Sequence, residues 1–127
     1  EWQRVTGMRS RGRGGVLGLA ATLARPSGAA RTSPILRGNW ISEVLLGEKL
    51  PRPPKQVPQL PADETETDGL TMRQLVAKHS EVKTCARCHQ RIDPFGFALE
   101  EFDTIGRSRK RDLAGRDLDA TSRLPDG

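Results

Sequence analysis

The sequence predicts a mainly α, irregular and loop-rich fold, and three observations lead to this expectation. Short stretches of the chain carry apolar residues at the three- and four-residue spacing of a helix. Only 35% of the 127 residues are apolar and 4% are aromatic, so the core must be thin. Five prolines fall between Pro51 and Pro61, which indicates an extended connector between helical parts.

The first apolar run, residues 16–24, predicts a short helix. Val16, Leu19, Ala20 and Leu23 fall at helical spacing, and Pro26 ends the run. A strand remains the alternative for so short a segment. The Gly/Arg-rich stretch before it, residues 11–15, is typical of a turn.

A second helix is expected after Thr32-Ser33-Pro34, which sets an extended or turn conformation. Asn39 is the predicted N-cap, and Gly47 is placed to end the helix. Its apolar residues are expected to pack in the core. They are Trp40, Ile41, Val44, Leu45 and Leu46.

Thr71 and Gln74 form the pattern of a capping box, which predicts a third helix with Met72, Leu75, Val76 and His79 on one face. A short fourth helix should follow and end where Asp93-Pro94 breaks it. Phe95, Leu99 and Phe102 continue at helical spacing. Beyond Gly106 the chain is polar and irregular, and no internal repeat is evident.

These patterns divide the chain into three expected parts. Residues 1–50 form the C-terminal part of a helical domain, 51–69 a proline-rich acidic linker, and 70–127 a second, truncated domain. We accordingly expect the chain to be a fragment of a longer protein.

Charge and hydropathy exclude few classes of function. The net charge is +5, and the basic excess lies in residues 1–50, which hold eight basic and three acidic side chains. A nucleic-acid interaction is nevertheless not favoured, because the single Arg-Gly cluster is short. No apolar run approaches the roughly 18 residues that a membrane span needs.

The motif that carries chemistry is Cys85-Ala86-Arg87-Cys88-His89, a CxxCH box. Each thiol of such a box adds to one vinyl group of a haem, and the histidine after the second cysteine ligates the iron. The sequence therefore predicts a covalently bound haem c held by Cys85, Cys88 and His89, with His89 as the metal ligand. A large apolar cofactor would add the buried surface that the thin core lacks, so the apoprotein should be loosely folded.

Other chemistries of two cysteines are weaker alternatives. A zinc site would need four ligands, and the chain offers only these three residues and His79, with Cys88 and His89 adjacent. A redox dithiol would favour a βαβ setting that the sequence does not indicate, and a disulfide would close a small strained loop.

Two details of the haem site stay open at this level. The sixth iron ligand is Met8, Met72, His79, an external group, or none. Four arginines are candidates for pairing with the haem propionates. They are Arg31, Arg37, Arg87 and Arg91.

Several short segments of the sequence together resemble the large secreted cytochrome-like proteins of planctomycetes, which contain several domains of unknown function in tandem. They include residues 14–17, 31–34, 37–40 and 45–47, the proline-rich connector, and the closing residues 119–121 and 124–127. The most specific is CARCHQRIDPFGFALEEFDTIGR, residues 85–107. Relatives often carry Met where Ile92 stands, so that position cannot supply the sixth ligand here.

The resemblance implies haem attachment at Cys85 and Cys88, ligation by His89, and export to the periplasm or cell surface. The expected function is one-electron transfer by a c-type cytochrome domain of a larger secreted protein. Its partners would be a redox protein or adjoining domains. A haem enzyme with an open iron site, such as a peroxidase, and a non-haem interaction module are the alternatives, so whether the chain is an enzyme stays open.

Overall fold

The computed structural model describes residues 1–12, 15–54, 56–57 and 59–124, and over these it is mainly helical, as predicted. Two short 3-10 turns, Met8–Arg11 and Val16–Gly18, open the chain. Helices α1 (Ala20–Ala24), α2 (Pro34–Trp40), α3 (Met72–Ser80) and α4 (Lys83–Ala98) follow. No strand is formed within the described residues, where pairing is limited to two isolated bridges. Expectations on Arg13, Gly14, Pro58 and residues 125–127 lie outside the described residues.

Helix α2 begins earlier than predicted. The Ser33 side chain accepts a hydrogen bond from the backbone N–H of Leu36, and Pro34 occupies the first turn. Asn39, the predicted N-cap, lies inside the helix and donates to Glu43 instead, so that expectation is wrong. Ser-Pro is the stronger start, because the hydroxyl accepts a bond and proline already has helical φ.

A π-helical turn, Ile41–Leu45, continues α2, and Gly47 follows it with a φ of 68°. Only part of the apolar face predicted here is in the core. Ile41 is buried, whereas Val44, Leu45 and Leu46 are about half exposed or more. A π-helix has more residues in each turn than an α-helix, so residues 44–46 do not lie on the buried face that a spacing of 3.6 residues predicts.

Helix α3 begins where the sequence predicts, because both bonds of the capping box form. The Thr71 hydroxyl accepts from the backbone N–H of Gln74, and the Gln74 side chain accepts from the backbone N–H of Thr71. Met72 and Val76 then pack against Phe97 of α4 in one buried cluster. A second buried cluster joins the first and last thirds of the chain: Leu23, Ile41, Leu99 and Phe102.

Helix α4 does not stop at Asp93-Pro94, contrary to the prediction, and runs to Ala98. Pro94 has no N–H to donate to the carbonyl of Gln90, which removes one helical bond. The tight packing of α4 against α2 on both sides of this point compensates. The helix is therefore one continuous support from the CxxCH box to the core.

Glycines allow the backbones of α2 and α4 to touch. A Cβ on Gly38 would lie 1.9 Å from the carbonyl oxygen of Ile92, and a Cβ on Gly96 would lie 1.9 Å from that of Pro34. The two helices consequently run antiparallel in close contact. The three-part division of the chain stays a prediction, but residues of its first and third parts are packed directly together.

A buried polar network surrounds this crossing, and Arg37 is at its centre. Its side chain has 0% exposure and donates to the carbonyl oxygens of Leu99, Phe102 and Asp103 at 2.8–2.9 Å. It also lies 3.4 Å from the Glu100 carboxylate. Arg37 therefore caps the carbonyls that follow α4, in addition to the backbone bonds that Leu99 and Asp103 accept from Phe102 and Gly106.

Arg109 joins two buried carboxylates in the same network. It donates to Glu64 at 3.1 Å and to Glu100 at 3.1 Å, and Thr32 donates to Glu100 at 2.7 Å. Glu64 is 2% exposed, although it lies in the acidic stretch of the predicted linker. Burial raises the pKa of Glu100, while Thr32 and Arg109 oppose that effect.

Residues 101–118 form two copies of one nine-residue turn, which corrects the expectation of irregular sequence without a repeat. In each copy an aspartate accepts from backbone N–H groups two and four residues later and from an arginine Nε. Asp103 pairs in this way with Arg107, and Asp112 with Arg116. Only Asp, Gly and Arg recur, so no hydrophobic period marks the repeat.

None of the described helices has both the length and the hydropathy that a membrane span needs.

Replacing Gly96 or Gly38 by alanine should destabilise the fold by about 1–3 kcal/mol, because the new methyl would overlap a carbonyl of the partner helix. Urea unfolding followed by circular dichroism measures the change. Gly18→Ala is the control, since its Cβ would meet the Phe102 ring at an ordinary 3.4 Å. Equal midpoints for all three variants and the parent would contradict the close crossing.

Arg109→Met should cost about 3–5 kcal/mol of stability at neutral pH, because it leaves buried Glu64 without its cation and buried Glu100 with Arg37 alone, 3.4 Å away. The loss should shrink as the pH falls toward about 4, since burial raises the pKa of Glu100 and the protonated form favours the folded state. Arg111→Met is the control, because Arg111 and Asp117 are both mostly exposed. A loss that does not depend on pH would refute this account.

Candidate functional site

The two cysteines of the CxxCH box lie on the first turns of α4. Cys85 and Cys88 are both free and half-buried, and two residues of helix separate them. Their thiols therefore project from one side of a single helical turn. The amide of Cys85 donates to the carbonyl of Val82, which ties the start of the box into the helix.

His89 directly follows Cys88, lies one helical turn after Cys85, and is 7% exposed. Its Nδ1 lies 2.9 Å from Oδ1 of Asp93, four residues later. An ionised carboxylate only accepts hydrogen bonds, so in the neutral imidazole this contact assigns the proton to Nδ1 and leaves the lone pair on Nε2. The side chain is thus set to bind a metal through Nε2 alone.

The sequence reasoning missed Asp93 as a functional residue, because it treated Asp93-Pro94 as a helix break. The available signal was the spacing of four residues from His89, which places two side chains on one helical face.

His79, at the end of α3, packs against His89. Their ring centroids are 5.2 Å apart, with the rings inclined at 68°. This edge-on contact brings together the two histidines of the chain. Met72, in contrast, is buried between Val76 and Phe97, and Met8 lies in the first 3-10 turn. Of the three candidates for the sixth ligand, only His79 is placed against the box histidine.

A cleft of about 420 Å³ opens beside His89. Helix α4 forms one wall, α3 the second, and the C-terminal segment 121–123 the third. It is lined by Arg73, Ala77, Ser80, Ala86, His89, Gln90, Asp93, Pro94, Phe97, Thr121, Ser122 and Arg123. Such a volume is within the range of small-molecule and cofactor sites.

His89 stands between the cleft and the cysteines. The cleft residues of α4, such as Ala86, Gln90 and Asp93, lie to one side of it on the helical wheel, and Cys85 and Cys88 lie to the other. A group bound by all three box residues would therefore cover the cysteine side of α4 and reach the cleft at His89.

The apolar π-helical turn lies toward that cysteine side. Pro34 faces Gly96 and Gly38 faces Ile92, so the antiparallel register leads residues 41–45 toward the end of α4 that carries the box. Val44, Leu45 and Leu46 are exposed there. Apolar surface next to the box is what a large apolar cofactor would cover.

The arginines predicted to pair with haem propionates have different surroundings. Arg37 is wholly committed to the buried network, so that prediction is wrong for Arg37. Arg31 donates to the carbonyls of Pro61 and Thr32. Arg91 pairs with Glu48 at 2.7 Å, and Arg87 is exposed.

Arg73 and Arg123 are basic residues of the cleft that the sequence did not single out. The Arg73 guanidinium lies 4.2 Å over the Phe97 ring and donates to the carbonyls of Asp119 and Thr121. It thereby holds the C-terminal segment as a wall of the cleft. No sequence signal pointed to it, because its partners Phe97, Asp119 and Thr121 are all more than twenty residues away in the chain.

A zinc site finds no support in this arrangement. Over the part of the chain that the structure describes, no three His, Cys, Asp or Glu side chains converge on a point that could hold a metal ion. A structural zinc needs four such ligands.

Arg73→Met should loosen the wall of the cleft, because it removes the bonds to Asp119 and Thr121. We expect faster backbone hydrogen exchange over residues 119–124 with little loss of global stability, measured by exchange mass spectrometry. Lys78→Met, an exposed change on the same helix, is the control. Unchanged exchange in that segment would show that Arg73 does not hold it.

Among known protein families, the model of the family Protein of unknown function (DUF1588), PSCyt3, matches residues 13–112. No curated protein and no solved structure matches the chain. The matched range includes the second 3-10 turn, the connector, the CxxCH box and the start of the second nine-residue turn. The chain therefore belongs to the family PSCyt3 (DUF1588), a planctomycete cytochrome-type domain of unknown function.

Proposed function

We propose that this chain is a c-type cytochrome domain that binds one haem covalently and transfers single electrons within a larger secreted protein. The observation that carries the proposal is the placement of Cys85, Cys88 and His89 on one continuous helix, with Nδ1 of His89 2.9 Å from the Asp93 carboxylate. Free thiols three residues apart and an imidazole with its Nε2 lone pair available are the groups that haem c attachment requires.

The surroundings of the box fit such a cofactor. Exposed apolar side chains at residues 44–46 would cover one part of it, and the cleft between α3 and α4 borders His89 on the other side. Arg73 and Arg123 supply positive charge in the cleft, which suits propionates. A bound haem would supply a one-electron couple, while the protein residues hold it, orient its axial ligand and limit access of water.

Ligand binding at an open iron position is the second candidate function. The observation that favours it is the burial of Met72 in the core, which removes one of the three internal candidates for a sixth ligand. His79 favours neither candidate, because its ring lies 5.2 Å from that of His89 and two axial ligands of a haem bind on opposite faces with the macrocycle between them. The spectrum of the bound haem distinguishes the two, since a closed low-spin site indicates electron transfer and a high-spin, ligand-sensitive site indicates an open position.

Location and partners follow from the chemistry of attachment. In bacteria thioether bonds to haem form on the outer side of the cytoplasmic membrane, so a periplasmic or cell-surface location belongs to the proposal. The partner would be a redox protein or an adjoining domain of the same polypeptide.

Expression in a host with haem-maturation machinery tests the proposal. We expect haem to remain on the denatured, acid-acetone-washed chain, and its pyridine haemochrome spectrum to have the α band of a c-type haem, because thioether bonds survive denaturation.

The matched control is Cys85→Ala/Cys88→Ala, which keeps His89 and should lose the covalent haem. If the parent chain carries no haem under conditions in which a known c-type cytochrome matures, the proposed function is wrong.

A further inference from the structure

We propose that Asp93 is the positioning residue of the haem site: it holds the axial His89 by Nδ1 and lowers the reduction potential of the iron. The inference rests on the proposed function and extends it to a residue outside the CxxCH box. Its test separates failure of the inference from failure of haem binding.

The contact between the two side chains is close and sheltered. Nδ1 of His89 and Oδ1 of Asp93 are 2.9 Å apart, and the two side chains are 9% and 17% exposed. A hydrogen bond with a charged partner is stronger than a neutral one, and limited access of water strengthens it further. Asp93 therefore fixes both the tautomer and the rotation of the His89 ring.

The backbone around this pair is held in place. Asp93 lies between Ile92 and Gly96, whose backbones contact Gly38 and Pro34 of α2. His89 and Asp93 are four residues apart on α4, so their side chains stay on one face while this part of the helix is intact, and the contacts with α2 support that part. A tuned axial ligand needs such support from the residues around it.

A carboxylate partner has a defined electronic effect on an axial histidine. It draws the Nδ1 proton toward itself and makes the imidazole a stronger donor through Nε2. A stronger donor stabilises ferric over ferrous iron, so the midpoint potential falls. The partner's charge, and not only its hydrogen bond, produces this effect.

Asp93→Asn isolates that charge, because the asparagine oxygen can still accept from Nδ1. Asp117→Asn is the matched control: it removes the same charge from an exposed residue that pairs with Arg111 outside the cleft. Cys85, Cys88 and His89 are unchanged in both variants. Covalent attachment should therefore be equal in the three proteins by pyridine haemochrome.

Potentiometric titration of the haem-loaded chains gives the decisive comparison. We expect Asp93→Asn to raise the midpoint potential by about 60–120 mV, which is a 10- to 100-fold change in the ferric preference at 59 mV per tenfold. Asp117→Asn should stay near the parent value. Equal potentials in all three proteins would overturn the inference and leave the proposed function standing, whereas a parent chain without haem would overturn both.

A second measurement covers the case in which Asp93→Asn does not fold. Proton NMR of the haem-loaded parent chain in its ferrous state reports on the His89 Nδ1 proton directly. We expect this proton to be shifted downfield and to exchange slowly because it is bonded to Asp93, and a rapidly exchanging proton at the position of a free imidazole would contradict the role of Asp93.

Discussion

The buried network of Arg37, Arg109, Glu64 and Glu100 is the constraint on which the rest of the structure depends. Its members come from all three parts of the chain, and each charge is compensated by another member or by a backbone carbonyl. A buried charge that loses its partner strongly destabilises the fold. The distant segments that supply these charges are therefore expected to pack together cooperatively. A chain with few apolar residues thereby obtains a specific fold that its thin core would not determine.

The buried network and the contact between α2 and α4 hold the helix that carries the CxxCH box. Arg37 anchors the end of α4, and the contact of Gly38 with Ile92 holds the middle of the helix, so its N-terminal turns project from a fixed base. The box residues and Asp93 lie on those turns and next to them. A haem attached there would meet an axial histidine already oriented, while the exposed π-helical turn and the open cleft would supply the contacts that adapt to it.

The parts of the structure that were predictable are those decided by neighbours in sequence. The Thr71–Gln74 capping box and the CxxCH spacing depend on residues a few positions apart, and the mainly helical class follows from such patterns. The wrong N-cap at Asn39 was a local error, because Ser33-Pro34 is the stronger start. Other failures depended on distant contacts. Pro94 should have ended α4, but α2 holds the helix together, and Glu64 looked like a solvated linker charge because its partner Arg109 lies 45 residues away. Asp93 was missed as a site residue for the same reason: its role appears only once the helix is known to continue past it.

The two nine-residue turns have a consequence for the order in which the chain folds. The bonds from Asp103 to Arg107 and from Asp112 to Arg116 span four residues, and closing such small loops takes far less than a microsecond. The bond from Arg109 to Thr32 spans 77 residues, so its formation carries the entropy cost of closing a long loop. The turns are therefore expected to form first and to present Arg109 in a nearly finished geometry. The slow step of folding would then be the docking of the N-terminal third, which carries Thr32, onto Arg109 in the preformed turn.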